Sequence, residues 1–247
     1  MSKKGRITKE QMGFSMPVDS PLYPRPPIHY RDMETITIAY ETDEQAALNM
    51  LPYAEELELV YPVTARIVFA HMPFTSYGAY DEAYQLLDCM WDGKPCIYPI
   101  RIIVDNESAL AAGREIWGNP KKFGHVDWDN ALDLKRVFVE RPQGNRICTA
   151  LMKPERPMSL EPFESDILGL RVIPSPELDA EPSLAELIMN KITMTPKQVW
   201  TGPGSLSFQA LSEIDPWHRL PIKELKESVY VLTDMDVAPG AEIVKRY

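Results

Sequence analysis

A chain of 247 residues with 45% hydrophobic content is long enough to bury a substantial core, as one large domain or two small ones, and one is favoured. A formal net charge of -10 and a pI near 5.0 argue against a nucleic-acid or anionic-membrane surface, since both are bound through excess Lys and Arg, so the expected partner is a small molecule or another protein. Cys89, Cys96 and Cys148 are sparse and have no CxxC spacing, which suits a reducing compartment, offers no zinc knuckle and reads as buried thiols.

The N-terminal stretch carries basic residues with no apolar run behind them, so no secretory signal is expected. No apolar run reaches the roughly 18 residues of a membrane span, and the chain reads as soluble and cytoplasmic. The 23 prolines are spread through the chain and punctuate many short elements, which favours strands. A strand is predicted over 35–40, rich in Thr and Ile, followed by a helix over 44–50 that Thr42-Asp43 caps and Pro52 stops. Strands follow over 59–72 and 99–104. A second helix begins after Asp105-Asn106, with Ala109, Leu110, Gly113, Ile116 and Trp117 at helical spacing, and ends at Gly118 and Pro120. Strands over 135–140 and 146–152 are joined by Arg141-Pro-Gln-Gly-Asn145 as a hairpin. Further strands are predicted over 167–173, 186–200 with a bend near Pro196, 205–209, 229–237 and 242–245. About ten strands without regularly interleaved helices imply a mainly β fold, a curved or closed antiparallel sheet or barrel with a few packed helices.

Just past the second helix stand Lys121 and Lys122. The segment from Glu107 to Gly124, with Gly113-Arg114-Glu115 in the helix and Pro120-Lys121-Lys122-Phe123-Gly124 after the turn, resembles the active-site stretch of the acetoacetate decarboxylase family. Ser20-Pro-Leu-Tyr-Pro-Arg-Pro-Pro27 and Tyr40-Glu-Thr-Asp43 are similar to the family's opening. Glu186-Leu-Ile-Met-Asn-Lys-Ile-Thr193, Trp200-Thr-Gly-Pro203 and Leu220-Pro-Ile-Lys-Glu224 are similar to its C-terminal half. The resemblance implies a single domain over 20–247, with 1–19 as an N-terminal extension, and assembly as a homo-oligomer.

It also implies that Lys121 condenses with a substrate ketone and that Lys122 is the neighbour associated with lowering its pKa. A free lysine, with a pKa of about 10.4, is neutral in only roughly one molecule in two thousand at neutral pH, and only the neutral amine attacks. An adjacent cation or removal from water would each disfavour the ammonium. Activated lysines of this kind are known, with acetoacetate decarboxylase as the standing example. Adjacent side chains of an extended segment point to opposite faces, and Pro120 and Phe123 add apolar bulk, so desolvation is expected to outweigh Lys122. Phe123 is accordingly counted among the substrate-binding residues. The imine so formed drains electrons from a breaking carbon–carbon bond, and carbon dioxide leaves a β-keto acid with no metal or organic cofactor required.

Within Thr75-Ser-Tyr-Gly-Ala-Tyr-Asp-Glu82, Glu82 falls on the position of a family active-site glutamate, where it could stabilise an iminium or shuttle a proton. Tyr77, Tyr80 and Tyr84 surround it as pocket or core rings. Two positions depart from the family. Met33 stands where an arginine is usual, the natural partner of a substrate carboxylate through a contact worth roughly 1.5 to 3 kcal/mol. Arg31, two residues earlier and on the same side of an extended segment, is the candidate replacement. Val68 falls where the family has a second carboxylate. Met33 and Val68 together describe a less charged pocket. His71, His125 and His218 lack metal-ligand spacing and read as structural.

The leading expectation is decarboxylation of acetoacetate or a close β-keto acid. A Schiff-base aldolase or dehydratase would keep Lys121 and Glu82 but release no carbon dioxide. A non-catalytic binder of carbonyl metabolites would form no borohydride-trapped adduct.

Overall fold

The structure is a computed structural model and describes residues 2–209 and 212–247. Strand β1 (Ile28–Glu41) leads through the short helix α1 (Glu44–Leu48) to β2 (Leu57–Leu59), β3 (Thr64–Met72) and β4 (Phe74–Thr75). Then come β5 (Tyr80–Trp91), β6 (Lys94–Val104), helix α2 (Glu107–Trp117) and β7 (Lys121–Phe123). Three strands, β8 (His125–Ala131), β9 (Leu134–Glu140) and β10 (Arg146–Met152), form a meander, followed by β11 (Arg156–Met158), β12 (Phe163–Ile173), β13 (Leu184–Gly202) and β14 (Gly204–Phe208). The chain closes with β15 (Glu224–Leu225), β16 (Ser228–Val237) and β17 (Glu242–Arg246).

Seven strands close on themselves in the order β5-β3-β1-β16-β13-β12-β6, with β6 returning to pair with β5. An odd number of strands cannot alternate direction all the way round, so one neighbouring pair must be parallel. That pair is β6–β12, joined at Ile97 and Ile167, and the other neighbours in the ring are antiparallel. A second sheet, β14-β10-β9-β8, lies outside the barrel.

The barrel wall has two buried faces. On β1 the side chains of Ile36, Ile38 and Tyr40 join Ile67 and Phe69 of β3 and Val137, Val139 and Ile147 of the outer sheet in one core cluster. The alternate residues, Thr35 and Thr37 on β1 with Val68 and Ala70 on β3, face the barrel interior. These inward side chains are small, and a narrow barrel that would otherwise fill with side chains keeps an open lumen. Helix α2 covers one end, packing Ala109, Ala112 and Trp117 against Tyr23, Tyr30, Tyr80 and Val237.

The predicted elements mostly recur. The hairpin at Arg141–Asn145 joins β9 and β10, and β13 shifts register at Pro196. The strand predicted over 59–72 is divided into β2 and β3 by a segment containing Pro62, and the first helix is only five residues long. Strand β5 is a barrel strand the sequence reading passed over. Its Asp81, Glu82 and Gln85 are poor strand formers by composition, yet Glu82 points inward and Gln85 is buried against Tyr40, Arg101 and the Trp217 carbonyl. The three cysteines are free and buried. Among the described residues no helix is long and apolar enough to cross a membrane, and no cluster of His, Cys, Asp and Glu could hold a metal ion.

Candidate active site

The turn after α2 places Lys121. Asn106 caps the helix by accepting a hydrogen bond from the Ala109 amide at 2.9 Å. At the other end Gly118, at φ 67°, takes the left-handed conformation that reverses the chain. The amide of Asn119 donates to the Gly113 carbonyl at 2.9 Å, and that of Lys121 to the Asn119 carbonyl at 2.8 Å. Strand β7 then pairs in parallel with β6, setting Lys121 beside Ile102.

This arrangement explains the Gly-Arg-Glu run of α2. A β-carbon on Gly113 would lie 2.5 Å from Lys121 Cε, so only glycine lets the lysine stem run along the helix. The Arg114 guanidinium donates to the Lys121 carbonyl at 3.1 Å. Glu115 accepts the hydroxyl of Tyr23 and ties the N-terminal segment to the helix.

Inside the barrel, Lys121 Nζ stands 2.6 Å from Glu82 Oε1, and the two side chains are 7% and 1% exposed. Their angles make this a close ion pair rather than a well-formed hydrogen bond. Tyr84 donates to the other carboxylate oxygen at 2.7 Å. Register explains the convergence: Thr37, Val68, Tyr84, Ile102 and Lys121 are successive neighbours across β1, β3, β5, β6 and β7, with Glu82 one inward position from Tyr84. Tyr80 donates to the Tyr30 hydroxyl at 3.4 Å. Burial, with the Glu82 charge as a lesser cause, pushes the phenols of Tyr30, Tyr77 and Tyr84 upward, so all three keep their protons at ordinary pH. The Tyr77 hydroxyl and Asn190 Oδ1 are buried in the lumen wall without a hydrogen-bond partner among the described residues.

Lys122 is turned to the opposite side of the wall. Its ammonium lies 3.0 Å from Asp215 Oδ1 and also donates to the Ile214 carbonyl, and Arg141 holds the second oxygen of Asp215 at 2.7 Å. Strand alternation separates the two lysines, and the charged group beside Lys121 is Glu82.

Met33 and Val68 both line the lumen, as their positions imply. Arg31 does not reach it. Asp32, at φ 55°, and a register shift between Tyr30 and Met33 break the alternation of β1, so residues 30 and 33 face inward while Arg31 faces out. Its guanidinium is occupied by Asp236 Oδ1 at 2.9 Å and the Tyr30 carbonyl at 2.7 Å. Phe123 is corrected likewise. It stands at the last position of the β6–β7 pairing, opposite Val104, with 60% of its surface exposed and outside the lumen lining. Trp117 and Asn119, from the end of α2 and the turn before Lys121, line the lumen instead.

Sequence reasoning passed over Tyr30, Asn190 and Arg66, which also line the lumen. A lone Asn at an inward position of an apolar strand was the available signal for Asn190. Arg66 is gripped by Asp88 through two contacts of 2.7 Å. His71 pairs with Asp81 at 2.6 Å, and none of the three histidines noted in the sequence lines the lumen.

Comparison with known proteins gives a consistent result. The acetoacetate decarboxylase (ADC) family profile matches residues 15–247. Acetoacetate decarboxylase of Streptomyces nogalater is 31% identical, over 94% of this chain and 95% of that protein. Decarboxylase DEC1 of Cochliobolus heterostrophus is also 31% identical, over 93% of this chain and 94% of that one. The crystal structure of acetoacetate decarboxylase from Legionella pneumophila superposes with a TM-score of 0.85 at 28% identity, covering 100% of this chain and 99% of the other.

Proposed function

Because this chain belongs to the acetoacetate decarboxylase family, we propose that it decarboxylates a β-keto acid through a Schiff base on Lys121, with Glu82 as the proton-transfer partner. The observation that carries this reading is the buried pair of Lys121 and Glu82, 2.6 Å apart, at the wall of an open lumen. A carboxylate within hydrogen-bond reach can take a proton from the ammonium as the ketone enters and return one later.

The free amine adds to the ketone carbon, and loss of water gives an imine that is protonated to an iminium. The electron pair of the bond between the carboxyl carbon and its neighbour moves toward the iminium nitrogen, forming an enamine as carbon dioxide departs. Protonation of the enamine carbon and hydrolysis of the resulting iminium release a ketone and restore Lys121. The protonated phenols of Tyr30 and Tyr77 can donate to substrate oxygens, and Tyr84 holds Glu82 in place. The reacting carboxylate loses its charge as carbon dioxide forms, so a lumen poor in polar groups favours the step over the ground state.

Gas release separates this reaction from an aldol condensation or dehydration on the same lysine. Wild type incubated with acetoacetate, pyruvate and a β-diketone should release carbon dioxide from the β-keto acid alone. Lys121→Ala should lower that rate by on the order of 10⁴-fold or more. Turnover that persists in Lys121→Ala would remove the lysine from the mechanism.

A further inference from the structure

The lumen extends well beyond the Lys121–Glu82 pair. Glu82, Tyr84 and Leu86 face inward in succession along β5, opposite Ala70, Val68 and Arg66 of β3. At a strand rise of about 3.3 Å per residue, the four steps from Glu82 to Leu86 span roughly 13 Å. The cavity volume is about 280 Å³, roughly twenty times what one water molecule needs. Apart from the Lys121–Glu82 pair the lumen wall is largely apolar, with Leu86, Ile97, Ile167 and Val231 among its members. Acetoacetate, with one methyl group beyond its ketone, would leave most of this space empty.

The charges point the same way. Among the described residues the cations lining the lumen are Lys121 and Arg66. Arg66 lies at the distal level, and its Nε and Nη2 both donate to the Asp88 carboxylate. Near Lys121 the wall carries Met33, and Arg31 is turned outward. A substrate carboxylate therefore meets no guanidinium clamp, and binding must be supplied elsewhere. Apolar surface remote from the reacting bond can supply it and support the chemistry.

We propose that the substrate is a β-keto acid with a long unbranched apolar tail, its carboxyl end at Lys121 and Glu82 and its tail laid along the barrel lumen. This rests on the Schiff-base reading above and names the substrate class for the same site. Each buried methylene strengthens binding about fourfold. At the far end, Arg66 and Phe163 both line the lumen and are partly open to solvent. A tail longer than the lumen emerges there, so the gain levels off without a sharp cutoff.

The test uses the full chain and a series running from acetoacetate through 3-oxohexanoate, 3-oxooctanoate and 3-oxodecanoate to 3-oxododecanoate. Carbon dioxide release and borohydride trapping are followed in parallel for each acid. The expected result is a kcat/KM that climbs roughly fourfold per methylene before a plateau, and Leu86→Phe should bring that plateau to shorter tails. A kcat/KM that is flat or falls with length, while every acid is still trapped on Lys121, overturns the tail inference and leaves the Schiff-base reading standing. If no acid of any length is trapped or decarboxylated, the Schiff-base reading fails and the inference falls with it. The wild-type series decides the matter even if Leu86→Phe does not fold.

Discussion

Lys121 and Lys122 are neighbours on one three-residue strand, yet they live in different parts of the molecule. Lys121 points into the lumen beside Glu82, under the cover of α2, with 7% of its side chain exposed. Lys122 points out of the barrel, 42% exposed, toward a carboxylate that Arg141 also holds. Which side of the wall a side chain takes decides its surroundings, so identical chemistry one residue apart yields a candidate nucleophile and a structural ion pair. The same alternation divides β1 and β3 into lumen-facing and core-facing rows. Nearness along the chain says little about nearness of charge in a sheet.

After loss of Lys121 itself, the largest effect expected from this contrast is at Glu82. Glu82→Gln keeps the shape and the Tyr84 contact but removes the carboxylate, and kcat should fall by about 10² to 10³-fold. Borohydride should still trap a keto acid on Lys121 in this variant. Loss of trapping together with turnover would mean that Glu82 acts on amine attack alone and that other groups serve the later proton transfers.

Gly113→Ala probes the same side of the wall from the helix. The new methyl must displace the Lys121 stem, and a misplacement of about 1 Å can cost roughly 100-fold in kcat. Alanine is the better helix former by about 1 kcal/mol, and the clashing atoms belong to a flexible side chain, so thermal stability should change little. Circular dichroism melts run alongside kinetics would check that separation. A large loss of stability with normal kcat would show that the glycine serves packing alone.

The smallest effect is expected outside the wall. Lys122→Met removes one of two cations on Asp215, and with the lysine well exposed the stability cost should be about 1 kcal/mol by denaturant titration. Turnover should stay within about threefold of wild type, below the range of general acid–base effects. If Lys122→Met instead lowered kcat as far as Glu82→Gln does, the contrast between the two lysines would collapse.

Much of the fold was legible because both faces of the barrel wall are apolar, and long Val- and Ile-rich runs announce such strands. Closure was not legible, since it depends on β6 meeting β12 and β5 at once, a pairing of distant segments that no local pattern encodes. Strand β5 was hidden by the residues that make it interesting, because Glu82 and Gln85 are polar groups whose charged partners, Lys121 and Arg101, lie on other strands. At the site, the helix stop and the Pro-Lys-Lys run marked Lys121. The reason for Gly113 emerges only when α2 packs on β7. Arg31 was assigned to the lumen by ideal alternation, and the bulge at Asp32 reversed it. Phe123 shares parity with Lys121 but stands at the end of the paired segment, where facing inward no longer means facing the cavity.

The most direct test of the account is to trap a β-keto acid with borohydride and map the modified peptide by mass spectrometry at residue resolution. The account predicts a single reduced adduct on Lys121, with Lys122 unmodified. An adduct on Lys122, or no adduct at either lysine while carbon dioxide is still released, would contradict it.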